Sequence, residues 1–311
     1  MSSVPASEPK VGISPALDFF DLSPQARADT LALYADAGID QVFIADHVSF
    51  HNGMGIDALT YLAALSGIEP RLDLYAGVLL LALRHPMVAA RQINQLALAA
   101  PGRVTVGVGV GGEDRHEFEV CGIDPRTRGR RTDVALDLVR RLLDGESVDH
   151  RDEFYDLQQA LIRPRLSSPV PFVVGGRSDA AVRRAGTLAD GWLASWCSAQ
   201  RFAAGTALVE ETAAACGRTP AWRHGIQLWI GVGGDVESAT RSVASRMEGF
   251  YHIPFQAFAK YTPAGPPEVI AEFLAPYVAA GATTLNLTPC GESPEDEARA
   301  VAAVKELLIC S

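Results

Sequence analysis

Short apolar runs alternate with amphipathic stretches from one end of the chain to the other. A parallel sheet whose strands are joined by crossover helices produces that spacing. The apolar runs predict strands at 11–17, 41–45, 72–79, 103–108, 171–174, 192–195, 227–232 and 283–287. The stretches between them predict helices at 24–37, 56–66, 87–100, 130–144, 178–188, 201–216, 268–280 and 295–308. Their ends are punctuated by residues that start and stop helices: Ser23-Pro24 and Pro86 at two starts, Gly38 and Pro101-Gly102 at two stops. A Pro-rich connection is expected at 157–169, with polar insertions after strands four and seven. Eight strands, each followed by a helix, within 311 residues predict a (β/α)8 TIM barrel. An open doubly wound sheet is the alternative, since strand order is not written in the pattern. No shift in composition marks a second domain, so residues 11–311 read as one domain behind a flexible tail at 1–10.

Composition narrows the partners. A formal net charge of −10 and a pI near 5.2 set the surface against phosphodiesters, so neither nucleic acid nor an anionic membrane is an expected partner. A small-molecule substrate and a homodimer are expected instead. Five scattered cysteines without a CxxC pair read as reduced thiols of a cytoplasmic protein. The N-terminus lacks the basic start and apolar core of a signal peptide, and the longest apolar run, 74–83, is too short to span a bilayer.

In a barrel of this kind, the residues just after each strand form the rim where chemistry occurs. Strand two ends in Asp46-His47, an acid and an imidazole that can hold a ligand and move protons near neutral pH. A capping Asp beside a surface His explains the pair equally well. Strand three contains Gly77, the mark of a bulge, of a close backbone approach to a ligand, or of simple packing. Strand four ends Gly107-Val108-Gly109-Val110-Gly111-Gly112-Glu113-Asp114. Its GxGxxG spacing is not a dinucleotide fingerprint, because two carboxylates and a loop follow it rather than a helix. Gly109, Val110 and Gly111 read instead as a bare backbone shelf beside a flat ligand, with Glu113 at its edge. Strand five runs through Gly175-Gly176-Arg177-Ser178 directly into a helix. Exposed amides, a helix N-terminus, a hydroxyl and a guanidinium there make a phosphate site, against the plainer reading of a Gly turn with a Ser cap. The histidines show neither HxH nor HExxH spacing, so no metal site is expected, and the absence of GxSxG argues against a serine hydrolase. Residues 247–258 carry four aromatics and a His, fitting either a lid over an apolar substrate or a surface for a partner subunit.

Taken in order, these segments resemble one family, the luciferase-like monooxygenases, which include F420-dependent oxidoreductases. The likeness is carried by Ala45-Asp46-His47, Leu83-Arg84-His85-Pro86, Pro101-Gly102-Arg103 through Gly112, Glu117-Phe118 through Ile123, Arg128-Gly129-Arg130-Arg131, and Val174-Gly175-Gly176-Arg177-Ser178 followed by Asp190-Gly191-Trp192. It extends from about residue 11 to 195, and beyond that only the strand and helix pattern agrees. The resemblance implies a cofactor ring lying on a bulge of strand three, where the family often has a non-prolyl cis peptide, here at Gly77–Val78. It implies that Asp46 and His47 flank the ring, that residues 175–178 hold the cofactor phosphate, and that Glu113 is a second acid. It further implies hydride transfer with coenzyme F420 or, alternatively, monooxygenation with reduced FMN and oxygen. A flavin-binding barrel without catalysis is a third alternative. One F420-dependent branch has a Trp where this chain has His51, which separates the chain from that branch's sugar-phosphate substrate.

Overall fold

The eight predicted strands close into a parallel barrel in the computed structural model, which describes residues 8–51 and 53–310. The strands are β1 (Lys10–Ile13), β2 (Gln41–Ile44), β3 (Asp73–Leu79), β4 (Val104–Val108), β5 (Phe172–Gly175), β6 (Trp192–Ser195), β7 (Gly225–Val232) and β8 (Thr284–Cys290). Each pairs in parallel with its sequence neighbour, and β8 returns to β1, so the open-sheet alternative falls. Residues 1–7 of the expected tail lie outside the described residues, and the first strand begins at Lys10.

Helices form where the sequence supplies starts. Ser23, Asp57, Ser178 and Ser293 each accept a hydrogen bond from a first-turn amide, and Pro stands in the first turn of the helices at Pro24–Asp36, Pro86–Ala99 and Pro294–Ile309. Such caps satisfy amides that have no partner within the helix. Outward strand residues and inward helix faces make one continuous core between barrel and helices. Along β7 the two-residue period separates the faces. Ile226, Leu228 and Ile230 are fully buried in that core, while Gln227 and Trp229 are half-buried on the other face, inside the barrel.

Two departures from the sequence pattern flank the barrel. The region after the helix Arg128–Leu143 contains an antiparallel hairpin, Val148–Arg151 with Asp156–Ala160, whose second strand overlaps the Pro-rich connection expected at 157–169. The insertion after β7 is a 16-residue helix, Val236–Tyr251, capped at its C-terminal end by His252 with φ of 54°. No helix among the described residues is long and apolar enough to cross a membrane. A cavity of about 80 Å³ lies at the N-terminal end of the barrel, lined by Lys10, Asp73, Arg103 and Thr284. The residues singled out by the sequence gather at the opposite end.

Candidate active site at the barrel mouth

The centre of the mouth is the bulge of β3. Pairing between β3 and β4 slips between Ala76 and Leu79, and the Gly77–Val78 peptide is cis, as the resemblance implied. Gln227 Nε2 donates to the Gly77 carbonyl at 3.1 Å, anchoring the bulge from across the barrel. Beneath Val78, the side chains of Phe43, Tyr75, Val173 and Leu193 fill the interior.

The glycines around the bulge have a packing role that sequence patterning did not reveal. A Cβ on Gly109 would overlap the Val78 Cγ2 methyl, and one on Gly175 would lie 2.9 Å from Val78 Cγ1. A Cβ on Gly107 would stand 2.7 Å from the Ala76 carbonyl oxygen. These glycines are bare because the bulged strand leans onto them. Val78, itself half-exposed, is thereby held as a fixed ridge.

Asp46 lies two residues beyond β2 and is buried. Its Oδ1 accepts from the Ala58 amide at 3.0 Å and from Arg84 Nη2 at 2.7 Å. Its Oδ2 accepts from the Leu80 amide at 2.9 Å and from Arg84 Nη1 at 2.6 Å. Four bonds occupy the acceptor positions of the carboxylate. Arg84 also donates to Asp57 at 2.8 Å. The cluster ties the loop after β2, the start of the helix Ala58–Leu65 and the backbone just after the bulge into one unit.

His47 stands beside this clamp with 20% of its side chain exposed. Its Nδ1 lies 3.3 Å from both carboxylate oxygens of Glu117. Glu117 is buried and accepts the Val48 and Ser49 amides at 2.6 and 3.3 Å. Burial alone would raise its pKa. The His47 hydrogen bond and charge and the two amides outweigh burial and hold the carboxyl below the usual range. An ionised Glu117 can only accept, which assigns a hydrogen to His47 Nδ1 and leaves Nε2 as the ring atom free to exchange a proton. Glu113, the acid singled out in the sequence, is exposed in the loop after β4, and its charge acts on Tyr251. Glu117, which that reading passed over, is the acid that meets His47. The sequence held only a faint signal for it, an acid directly before an apolar residue in a polar segment.

The turn after β5 has the composition of an anion site. Gly176 adopts φ of 134°, open only to glycine without strain. Ser178 Oγ caps the helix Asp179–Leu188 by accepting from the Ala181 amide at 3.2 Å, which leaves its O–H hydrogen able to donate to an anion. The Arg177 guanidinium has no carboxylate partner among the described residues and rests 5.0 Å from the centre of the Trp196 ring. No group of three or more His, Cys, Asp and Glu among the described residues is arranged to hold a metal ion.

An aromatic wall completes the mouth. Phe250 stacks on Phe50 at 5.2 Å between ring centres and approaches His47 at 6.2 Å. Tyr251 meets Phe250 and Trp196, and its hydroxyl accepts from Trp229 Nε1 at 3.1 Å. His51 and His252 stack at 4.6 Å. Phe250 and Tyr251, from the 247–258 segment, thus line the barrel mouth.

Residues 18–265 match the luciferase-like monooxygenase family. An uncharacterized Mycobacterium tuberculosis protein is 36% identical over 138 residues, 44% of this chain and 47% of that protein. The F420-dependent glucose-6-phosphate dehydrogenase of Nakamurella multipartita is 34% identical over 176 residues, 55% of this chain and 52% of that enzyme. The chain therefore spans about half the length of these curated relatives. Among solved structures, an F420-dependent secondary alcohol dehydrogenase in complex with an F420-acetone adduct superposes with a TM-score of 0.82 at 18% identity, over 97% of this chain and 99% of the other, a likeness of fold. With the barrel, the β3 bulge and the ordered strand-end motifs in place, the match over 18–265 establishes that the chain belongs to the luciferase-like monooxygenase family.

Proposed function

We propose that this protein is an oxidoreductase that binds coenzyme F420 at the barrel mouth and transfers hydride between it and an organic substrate. The observation that carries the reading is the pairing of His47 with Glu117 beside a fixed backbone ridge, opposite a turn whose only free cation among the described residues is Arg177. The residues fit the cofactor. Val78 offers a half-exposed apolar support for a tricyclic ring, and Arg177 with the first-turn amides of the helix Asp179–Leu188 offers a phosphate seat. Bound F420 supplies a hydride-carrying carbon.

The chain's own groups do the rest. Val78 and the glycines beneath it set the height of the ring. Asp46 acts as a positioning residue, since its oxygens are committed to Arg84 and two amides. His47, oriented by Glu117, takes or gives a proton at Nε2 as hydride moves, a role worth roughly 10²–10⁴ in rate. Glu113 remains a candidate second acid at the rim. FMN would use the same ridge and phosphate seat, and the F420-dependent relatives favour the deazaflavin. The reading is tested by following F420 absorbance against a panel of alcohols, and reduced F420 absorbance against ketones and enones. Turnover that falls at least about a hundredfold in His47→Asn supports it. Turnover only with reduced FMN and oxygen, or full turnover by His47→Asn, overturns it.

A further inference from the structure

We propose that the substrate seat next to the cofactor takes an uncharged, flat, apolar molecule and excludes phosphorylated sugars; the proposal rests on the reading of the mouth as a cofactor-binding active site. Trp229 is two residues beyond Gln227 on β7, so it faces the same interior one layer nearer the mouth than the group that anchors the Gly77 carbonyl. Around it stand Phe250 at 5.9 Å and Tyr251 at 6.0 Å between ring centres, and Trp196 and Phe258 extend the wall toward Arg177. Trp229, Phe250, Tyr251 and Trp196 are each only partly buried, so ring surface is left for a ligand. The rim is apolar too: Val48 and Met54 in the loop after β2 and Ile253 after the long helix are each more than 40% exposed.

The wall is poor in what a sugar phosphate needs. The indole N–H of Trp229 is already donated to the Tyr251 hydroxyl, so the pair keeps a single free donor, the Tyr251 O–H. Cations near the wall are scarce or committed; Arg128, which has no carboxylate partner among the described residues, lies against Gly112 in the loop after β4, where its Nη1 donates to the Pro125 carbonyl. Residues 14–17, 196–198, 233–235 and 291–293, which follow β1, β6, β7 and β8, contain neither Lys nor Arg. Arg84 is enclosed by Asp46 and Asp57, Arg201 is paired with Asp179, and Arg246 with Glu297. Lys260 is exposed and sits over the ring of its neighbour Tyr261, and Arg115 is exposed on the loop after β4. Arg177 belongs to the phosphate turn. The acids facing the wall are Glu113, Glu117 and Asp114, and a phosphate dianion placed among them would be desolvated without a counter-charge. Flat apolar faces, by contrast, gain from offset stacking on Phe250 and Trp229.

The test uses a matched pair, 2-naphthol and 2-naphthyl phosphate, with glucose 6-phosphate as a third probe. F420 and FMN binding is measured first by fluorescence quenching, and each probe is then titrated calorimetrically into protein saturated with the cofactor that binds. The expected result is that 2-naphthol binds about tenfold or more tightly than its phosphate ester and that Phe250→Ala weakens 2-naphthol by roughly tenfold. Phe250→Leu, which keeps the bulk without the ring, recovers only part of that loss. Equal or tighter binding of 2-naphthyl phosphate or of glucose 6-phosphate, or indifference of 2-naphthol to Phe250→Ala, overturns the proposal. If neither cofactor binds, the functional reading fails on that first measurement. The probes titrated into the unliganded protein then decide the apolar seat separately.

Discussion

The contact between Val78 and Gly109 is the structural premise of the ridge, and it yields a quantitative double-mutant prediction. In Gly109→Ala the new methyl overlaps Val78 Cγ2, with Val78 Cβ at 3.5 Å and no other neighbour nearer than the Gly111 amide at 3.9 Å. A β-branched side chain cannot swing aside freely, so the overlap is relieved by moving the bulge, at a cost of roughly 1–3 kcal/mol. Val78→Ala removes both γ-methyls from a half-exposed position and costs about 1 kcal/mol. In the double variant the overlapping atom is gone, so stability equals that of Val78→Ala or exceeds it by the few tenths that Ala gains over Gly in the unfolded chain. The coupling energy is therefore favourable by roughly 1–3 kcal/mol. Gly107→Ala is the control. Its nearest neighbour is the Ala76 carbonyl oxygen at 2.7 Å, a backbone atom that Val78→Ala leaves in place, so losing the second neighbour, Val78 Cγ1 at 2.9 Å, relieves it only in part. Differential scanning calorimetry of the four proteins and the control, at roughly 2 °C per kcal/mol for a chain of this size, reads the effect. Additive changes for Gly109→Ala and Val78→Ala, or equal rescue of Gly107→Ala, would refute the argument that the glycines exist to seat Val78.

Three further outcomes follow from the site and its surroundings. Glu117→Gln lowers kcat by roughly 10²-fold with KM little changed, and Glu117→Asp restores part of it; unchanged kcat would remove Glu117 from the orientation of His47. Asp46→Asn leaves Arg84 under-compensated in a buried cluster and destabilises the protein by roughly 3–5 kcal/mol, read from chemical denaturation; a loss under about 1 kcal/mol would contradict the clamp. His224 is buried, accepts the Trp192 amide at Nδ1, and has its pKa pushed down by burial to about 4, below an unfolded value near 6.5. The unfolded chain binds that proton first, so stability is lost as pH falls from about 6.5 to about 4, by roughly 2–4 kcal/mol. His224→Gln flattens that part of the pH–stability curve, and an unchanged slope would place the acid sensitivity elsewhere.

How much of this was legible in the sequence differs from element to element. β6 is read to the residue because Trp192–Ser195 is a short apolar run between turn signals. β8 is read too short: the pattern ends at residue 287, while pairing continues through Pro289 to Cys290. The hairpin at Val148–Arg151 and Asp156–Ala160 escapes because its strands are polar and lack a clean two-residue alternation. The helix Val236–Tyr251 did leave a trace, since Ala239, Val243 and Met247 recur every fourth residue, but its polar composition resembles a loop. At the site, the strand-end glycines and the Gly-Gly-Arg-Ser turn after β5 were visible because turns and close approaches demand specific residues. The pairing of Glu117 with His47, 70 residues apart, was not, since it depends on β2 and β4 flanking β3 and on the path of the loop after β4 over the rim of β2. Nor was Phe250 on Phe50, which needs the barrel to close from β7 through β8 and β1 to β2.

Direct titration tests whether the ridge and the turn after β5 together hold F420. F420, FMN and NAD are added separately to the purified protein while fluorescence is followed, and each titration is repeated with Arg177→Ala. F420 is expected to bind saturably and more tightly than FMN, with NAD weak or silent, and Arg177→Ala to lose roughly 1–3 kcal/mol for F420 because one charge-assisted contact to its phosphate is removed. Tight NAD binding without a response to F420 or FMN would contradict it.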